Sequence, residues 1–133
     1  MNGDRLVPER RTFAKGSVIF REGDKGHEAY LLQLGTVRIF KTVAGRKVTI
    51  GRVWPSQVFG ELALLDDSPR MAAAMADDDV TCLVLRKDSV RGLLDGAPDG
   101  LRTLLLSLLG TMRSMGDDLA AARAELEDYK SRA

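Results

Sequence analysis

The sequence predicts a mainly β domain followed by C-terminal helices. From Thr12 to Arg86, short apolar runs alternate with turns rich in glycine and aspartate, a pattern typical of an antiparallel sandwich or jelly roll. After Lys87 the apolar residues recur at helical spacing instead. With 133 residues, 44% of them hydrophobic and 29% charged, the chain has the size and balance of one globular domain.

The β region divides into strands at its turns. Residues 29–41 (AYLLQLGTVRIFK) predict two strands, or one bent strand, around Gly35. Ala44-Gly45 predicts a hairpin turn into the next strand. The remaining predicted strands are residues 18–20, 47–54, 58–59 and 80–85.

Two helices are expected after the strands. Asp88 or Ser89 is a suitable N-cap for a short helix that ends near Gly92 or Gly96. Residues 97–99 (APD) then open a long helix. We therefore expect residues 1–95 to form the β domain with its short helix, and residues 96–133 to form the long C-terminal helix.

The long helix has an unbroken heptad pattern, which predicts either a coiled-coil dimer or an amphipathic helix packed on its own domain. Gly110 and Gly116 each weaken a helix by about 1 kcal/mol relative to alanine, so residues 116–118 are a candidate kink or break. Its apolar residues, here called the seam, are Leu101, Leu105, Leu108, Met112, Met115, Leu119, Ala122, Leu126 and Tyr129.

Several functional classes are disfavoured by composition. The net charge of +1 provides no field toward nucleic acid or membrane. One cysteine, Cys82, allows no internal disulfide or cysteine-held cluster and fits a reducing cytoplasm. The single histidine, His27, has no partners for a metal or catalytic site, and the acidic turn at residues 77–79 lacks the spacing of a calcium loop. No apolar leader opens the chain, and no nucleophile–base pair indicates an enzyme.

The stretch from Phe59 to Met75 (FGELALLDDSPRMAAAM) carries the strongest chemical signal. An acid, Glu61, and a base, Arg70, lie at either end of an apolar loop. A salt bridge between the two is one interpretation. The other is a ligand that carries both hydroxyl groups and a negative charge.

The residues between and beside this pair favour a ligand. Gly60 allows a tight turn or a close approach of the backbone, and residues 62–65 predict one helical turn with free N–H groups at its start. The planar fork of Arg70 suits a phosphate, and the apolar residues after it would partly exclude water. Glu61 suits a hydroxyl donor on a sugar.

These residues resemble the phosphate-binding cassette of cyclic nucleotide-binding domains. The resemblance is carried by residues 60–64 (GELAL), by Pro69-Arg70 and by Ala72. It extends upstream through Lys15-Gly16 and residues 20–24, 30–32 and 35–37, and it covers about residues 13–94, most of the predicted β domain. The family includes domains of cAMP receptor proteins and of protein kinase A regulatory subunits.

The resemblance implies a β jelly roll (a double-stranded β-helix) followed by a short and a long α-helix. It implies that Glu61 binds the ribose 2′-hydroxyl, that Arg70 binds the cyclic phosphate, and that backbone N–H groups near Leu62, Ala63 and Met71 complete the phosphate shell. The C-terminal helix would cap the base or form a dimer seam. The expected ligand-binding residues are Gly60, Glu61, Leu62, Ala63, Arg70, Met71 and Ala72.

Met71 departs from the alanine, serine or threonine that the family often has at its position. A hydroxyl there is associated with cGMP preference, so methionine favours cAMP as the ligand over cGMP. We therefore expect a stand-alone cyclic-nucleotide receptor, not an enzyme and without a catalytic cofactor. It would dimerise through its long helix and signal through that helix to a separate effector protein, with no nucleic acid or membrane as a partner. The alternative is a protein-interaction module of the same fold that binds no nucleotide.

Overall fold

The computed structural model describes residues 9–132, apart from the Asp66 side chain. The expectation about an N-terminal leader concerns residues that lie largely outside this part of the chain. The described residues form eight strands and three helices. These are β1 (Glu9–Phe13), β2 (Val18–Phe20), β3 (Glu28–Leu34), β4 (Val37–Val43), β5 (Arg46–Val53), β6 (Val58–Phe59), α1 (Glu61–Asp66), β7 (Ala73–Ala76), β8 (Val80–Arg86), α2 (Lys87–Asp95) and α3 (Asp99–Arg132).

The strands pair as two antiparallel sheets, each with four strands in the described part of the chain. One sheet has the order β1-β8-β3-β6 and the other has the order β2-β7-β4-β5. Because consecutive strands of β1–β4 alternate between the sheets and β5–β8 return in the reverse sense, this is jelly-roll connectivity. The predicted fold class, a mainly β jelly roll followed by a short and a long helix, is confirmed.

The core lies between the two sheets. Tyr30 and Leu32 of β3 pack there with Val37 of β4, and Cys82 of β8 is fully buried among them. Aromatic rings fill the end nearest β6, where the Tyr30 and Phe59 rings stack with centroids 5.2 Å apart. Cys82 therefore serves as a small apolar core residue, and burial raises the pKa of its thiol to about 11.

The turns follow the predicted chemistry. Gly35 separates β3 from β4, so residues 29–41 form two strands, and it has a positive φ of 86°. A side chain at Gly35 would lie 2.5 Å from the Asp79 carbonyl oxygen, so glycine is required for both conformation and space. Ala44 and Gly45 both have positive φ and close the β4–β5 hairpin, as expected for this tight turn.

The short helix α2 is correctly predicted to end near Gly96, which is its C-cap, but both candidate N-cap residues are wrong. Neither Asp88 nor Ser89 is the N-cap, because the helix continues directly from β8 at Arg86 without a side-chain cap. The Lys87 N–H donates instead to the His27 carbonyl oxygen at 2.9 Å. A backbone partner thus replaces the side-chain cap.

Helix α3 is continuous from Asp99 to Arg132, so the glycine at position 116 does not break it. It packs on β4 and β5, with Leu109, Ala120 and Ala124 buried. The Arg123 guanidinium donates to the Thr49 carbonyl oxygen at 2.9 Å. The second half of α3 therefore docks on its own domain, as expected for an amphipathic helix packed on its own domain. Among residues 9–132, no helix combines the length and the apolar character needed to cross a bilayer.

Candidate ligand site

A pocket of about 200 Å³ opens at the end of the jelly roll where α1 and the loop before β7 meet the two sheets. The structure brings all seven predicted site residues together here, although they come from two separate segments of the chain. The lining residues are Phe20, Ile39, Val53, Val58, Phe59, Gly60, Glu61, Leu62, Ala63, Arg70, Met71 and Ala72.

Helix α1 starts at the pocket because of the glycine that precedes it. Gly60 is the N-cap and has a left-handed conformation, with φ 81° and ψ 5°. A side chain at this position would lie 2.8 Å from the Arg70 guanidinium and 3.2 Å from the Phe20 ring. Gly60 is therefore required both by the turn and by the closeness of the arginine.

Arg70 is the central cation of the pocket and is only 6% exposed. Its Nη1 donates to the Gly60 carbonyl oxygen at 2.8 Å, and its Nη2 donates to the Glu28 carbonyl oxygen at 2.6 Å. The guanidinium carbon lies 4.0 Å from the centroid of the Phe20 ring, a cation–π contact. The side chain is thus fixed by two backbone acceptors and one aromatic face.

The backbone of Arg70 is fixed as firmly as its side chain. Its N–H donates to the Asp24 carbonyl oxygen at 2.8 Å, and its own carbonyl oxygen accepts from the Gly23 N–H at 2.9 Å. These two bonds attach the loop before β7 to the turn between β2 and β3. The backbone of Arg70 is therefore held in place, which limits the positions that its guanidinium can take.

One donor of Arg70 remains without a partner. Its Nε is buried and makes no hydrogen bond within the described residues. Burial also lowers the pKa of the guanidinium, whereas the nearby Tyr30 and Glu28 act to raise it. A buried N–H group without an acceptor destabilises the fold, and a bound anion would supply the acceptor.

Gly26 and Phe20 also pack against the Arg70 side chain, and neither was predicted from the sequence to have a role in the site. A side chain at Gly26 would lie 2.8 Å from both Nε and the guanidinium carbon of Arg70, and 2.7 Å from the Ala63 side chain. The only sequence signal for this role is that Gly26 follows Gly23 closely in the turn before β3.

Glu61 is half-buried at the start of α1, and burial raises the pKa of its carboxyl. A hydrogen bond from its own backbone N–H and the charge of Arg70 act in the opposite direction. Within the described residues no ion pair joins Glu61 to Arg70, whose Nη atoms both donate to backbone carbonyls. The salt-bridge interpretation of this pair is therefore not what the structure shows.

Neither His27 nor the acidic turn at residues 77–79 lines the pocket. His27 is exposed, and the carboxylate of Asp77 pairs with Arg38 and Arg52 on the neighbouring strands. In the described part of the chain, no group of acidic, histidine or cysteine side chains has the arrangement of a metal site.

This fold and pocket belong to a known class. The model of the cyclic nucleotide-binding domain family matches residues 10–96, so the chain is a member of that family. The family resemblance deduced from the cassette is confirmed. The match covers the jelly roll from the second residue of β1 onward and all of α2, but not α3.

The chain is similar to two kinds of curated regulator. It is 32% identical to the cyclic AMP receptor protein of Thermus thermophilus over 93% of this chain and 57% of that protein. It is 42% identical to a cAMP-dependent protein kinase regulatory subunit of Hypocrea atroviridis over 70% of this chain and 19% of that protein. The chain thus spans little more than half of the first relative and about a fifth of the second.

Solved structures with the same fold include ligand-bound forms. An EAL enzyme in its cAMP-bound form superposes with a TM-score of 0.80 at 27% identity, over 93% of this chain and 33% of that chain. Its cGMP-bound form superposes with a TM-score of 0.77 at 30% identity, over 79% of this chain and 28% of that chain. The Thermus thermophilus catabolite activator protein superposes with a TM-score of 0.66 at 32% identity, over 90% of this chain and 56% of that chain.

Proposed function

We propose that this domain is a regulatory receptor for a cyclic nucleotide, with cAMP as the preferred ligand. The observation that carries this proposal is the buried Arg70, which lines the pocket with Glu61 and mainly apolar residues and whose Nε has no hydrogen-bond acceptor within the described residues. A cyclic phosphate supplies the missing acceptor and a negative charge at the same point. The cAMP bound by a similar structure supports this choice of anion.

In this proposal each predicted residue has a separate role. The cyclic phosphate accepts from Arg70 and from backbone N–H groups near Leu62, Ala63 and Met71. The ionised carboxylate of Glu61 accepts from the ribose 2′-hydroxyl. Gly60 and Ala72 leave room for the ligand, and the apolar wall formed by Val58, Ile39 and Met71 lies beside it.

Isothermal titration of the purified chain with cAMP and with cGMP tests the proposal. We expect heat of binding that corresponds to a dissociation constant on the micromolar scale, with tighter binding of cAMP than of cGMP. We expect Arg70→Ala to abolish it and Arg70→Lys, which keeps the charge but not the planar fork, to weaken it by at least about tenfold. Arg10→Ala, a change at an exposed arginine on β1, is the matched control and should bind as the wild type does.

Two results of the titration would contradict the proposal. A folded wild-type sample that gives no heat with either nucleotide removes the receptor proposal and leaves the alternative, a protein-interaction module of the same fold. Equal binding by wild type and Arg70→Ala removes the assigned role of the arginine. Thermal unfolding of each variant shows whether a loss of heat reflects a loss of fold.

We further propose that the domain itself catalyses no reaction and works in the cytoplasm as a homodimer that acts on a separate effector protein. The names of its curated relatives, a receptor protein and regulatory subunits, support a regulatory role. The exposed seam of α3 supports self-association. To produce a signal through α3, the ligand must bind one arrangement of this helix more tightly than another.

A further inference from the structure

The described part of the chain buries two cations, Arg70 and Lys41, and it compensates their charges in different ways. Lys41 of β4 forms ion pairs with Asp117 at 3.0 Å and with Glu22 at 3.3 Å. Arg70 forms no ion pair with any described residue, and both of its Nη atoms donate to neutral carbonyl oxygens. Because buried charges are normally paired, the charge of Arg70 must be compensated by something other than a carboxylate.

The acids near Arg70 have other hydrogen-bond donors. The Glu28 carboxylate accepts from the Arg11 guanidinium at 2.7 Å. The Asp24 carboxylate accepts from the Arg21 backbone N–H at 3.3 Å. Both acids act to raise the pKa of Arg70 through their charges, but neither contacts its guanidinium with a carboxylate oxygen.

The ring of Phe20 makes the contact that a carboxylate would otherwise make. The Arg70 guanidinium carbon lies over this ring, 4.0 Å from its centroid. The ring is itself held in a stack, with centroid distances of 6.3 Å to Tyr30 and 6.1 Å to Phe59. The face of an aromatic ring carries negative electrostatic potential, and its attraction for a cation is strongest where water is excluded. Phe20 is therefore fixed where it stabilises the charge of Arg70.

We propose that Phe20 is a positioning residue that acts as a neutral counterpart of Arg70, compensating its buried charge without competing for an anionic ligand. A carboxylate paired with Arg70 would occupy its donors and repel a phosphate. The ring carries no formal charge and leaves Nε without an acceptor among the described residues. The contrast with Lys41 fits this role, because Lys41 is paired with acids and is not among the described residues that line the pocket. The link to a phosphate rests on the proposed function, whereas the compensation of charge is testable without ligand.

A series of fluorinated phenylalanines at position 20 tests the role of the ring face. Each fluorine withdraws electrons from the face and changes the shape of the ring little. We expect the melting temperature, measured without added nucleotide, to fall stepwise from phenylalanine through mono- and difluorophenylalanine to trifluorophenylalanine. The fall at trifluorophenylalanine should reach about 4 °C or more, because the cation–π contact is desolvated.

Two comparisons separate charge from packing. In an Arg70→Met background, which keeps a side chain of similar length but removes the cation, the same series should change the melting temperature by less than about 1 °C. The second comparison keeps Arg70 and places the series at Phe13, whose ring packs edge-on against Tyr30 with centroids 5.9 Å apart. Among the described residues no cation lies over the Phe13 ring, so fluorination there should not lower the melting temperature stepwise.

The effect of cAMP provides a second readout. A bound phosphate supplies the compensation that a fluorinated ring no longer gives. We therefore expect cAMP to raise the melting temperature of the trifluorophenylalanine variant by at least as many degrees as it raises that of the wild type. A rise that shrinks with each fluorine would overturn the proposal, since the ring would then be needed more with ligand than without it.

The remaining outcomes keep the two proposals apart. A stepwise fall that persists in Arg70→Met, or that is matched at Phe13, shows that fluorination acts on packing and overturns the role of the ring. If Arg70→Met does not fold, the Phe13 series decides between these readings. A wild type that binds neither cAMP nor cGMP overturns the proposed function alone, because the series without nucleotide still tests whether Phe20 compensates the charge of Arg70.

Discussion

Two glycines make room for Arg70, and at the residue scale this is a clear link between sequence and site. Neither Gly26 nor Gly60 contributes a side chain, yet a methyl group at either would meet the guanidinium at 2.8 Å. Because Arg70 is held by hydrogen bonds at both its backbone and its side chain, it cannot move aside without losing some of them. The space that these glycines leave is therefore part of the binding site.

Gly26→Ala should consequently damage both the fold and the site. We expect the free energy of unfolding to fall by about 1–3 kcal/mol, the usual cost of overpacking a fixed interior, and cAMP binding to weaken. Chemical denaturation and titration measure the two effects. Gly92→Ala is the control, because its Cβ would meet nothing within 4 Å and it lies in helix α2. Equal stability of the two variants would mean that Arg70 is less firmly held than its contacts indicate.

Glu61 should show opposite effects on stability and on binding. Burial raises the pKa of its carboxyl, so the folded protein holds this proton more tightly than the unfolded chain does. The stability that protonation contributes is therefore fully present below the ordinary pKa of 4.5 and is lost as pH rises through the higher folded value. At pH 7 the ionised Glu61 thus destabilises the fold.

Glu61→Gln removes this buried charge and should raise the melting temperature at pH 7, with the gain disappearing toward acidic pH. The same change should weaken cAMP binding by about tenfold, because the neutral amide oxygen of glutamine accepts a hydrogen bond more weakly than the ionised carboxylate does. Calorimetry between pH 4 and pH 8 measures both. A melting temperature that falls on substitution at pH 7 would show that Glu61 stabilises the fold, contrary to this account.

At the scale of elements, periodicity predicted most of the fold. The Gly35 turn, the Ala44-Gly45 hairpin and the start of α3 depend on local chemistry, and each was correctly predicted, as were six of the eight strands of the described residues. The other two were missed, because β1 lies before the first predicted strand and most of β7 lies in the stretch that was interpreted as a loop. The approach of Gly26 to Arg70 and the burial of Lys41 depend on contacts between distant segments. Periodicity records which face a residue occupies but not which residue it meets there. For the same reason the N-cap of α2 was missed, since the carbonyl oxygen of His27, in the turn before β3, takes the place of a side-chain cap.

The docking of α3 depends on small residues that let the helix approach the sheet. Ala120 is 1% exposed and faces the domain, whereas its neighbour Ala121 is exposed. We expect Ala120→Leu to lower the free energy of unfolding by about 1–3 kcal/mol and Ala121→Leu to change it by less than about 0.5 kcal/mol. Denaturant titration distinguishes them. Similar values for both variants would mean that α3 does not pack tightly on its own domain.

At the scale of the whole molecule, α3 presents two different faces. The face with Leu109, Ala120 and Ala124 docks on the domain, and Arg113 on the same side donates to the Pro69 carbonyl oxygen. The seam lies on another face and is largely exposed, with 49% exposure at Met112 and 63% at Met115. An apolar stripe of this length on a monomer is unusual, and a heptad repeat is suited to pairing with a second copy.

We therefore expect the full chain to sediment as a dimer and Met112→Glu to shift it toward monomer, because the two copies would bring like charges together at the centre of the seam. Ser114→Glu adds the same charge at an exposed position outside the seam and should leave the dimer intact. Since the docked face is untouched, Met112→Glu should retain cAMP binding per chain. A monomeric wild type at high concentration would contradict the dimer without affecting the docking of α3 on its own domain, because the two depend on different faces of the same helix.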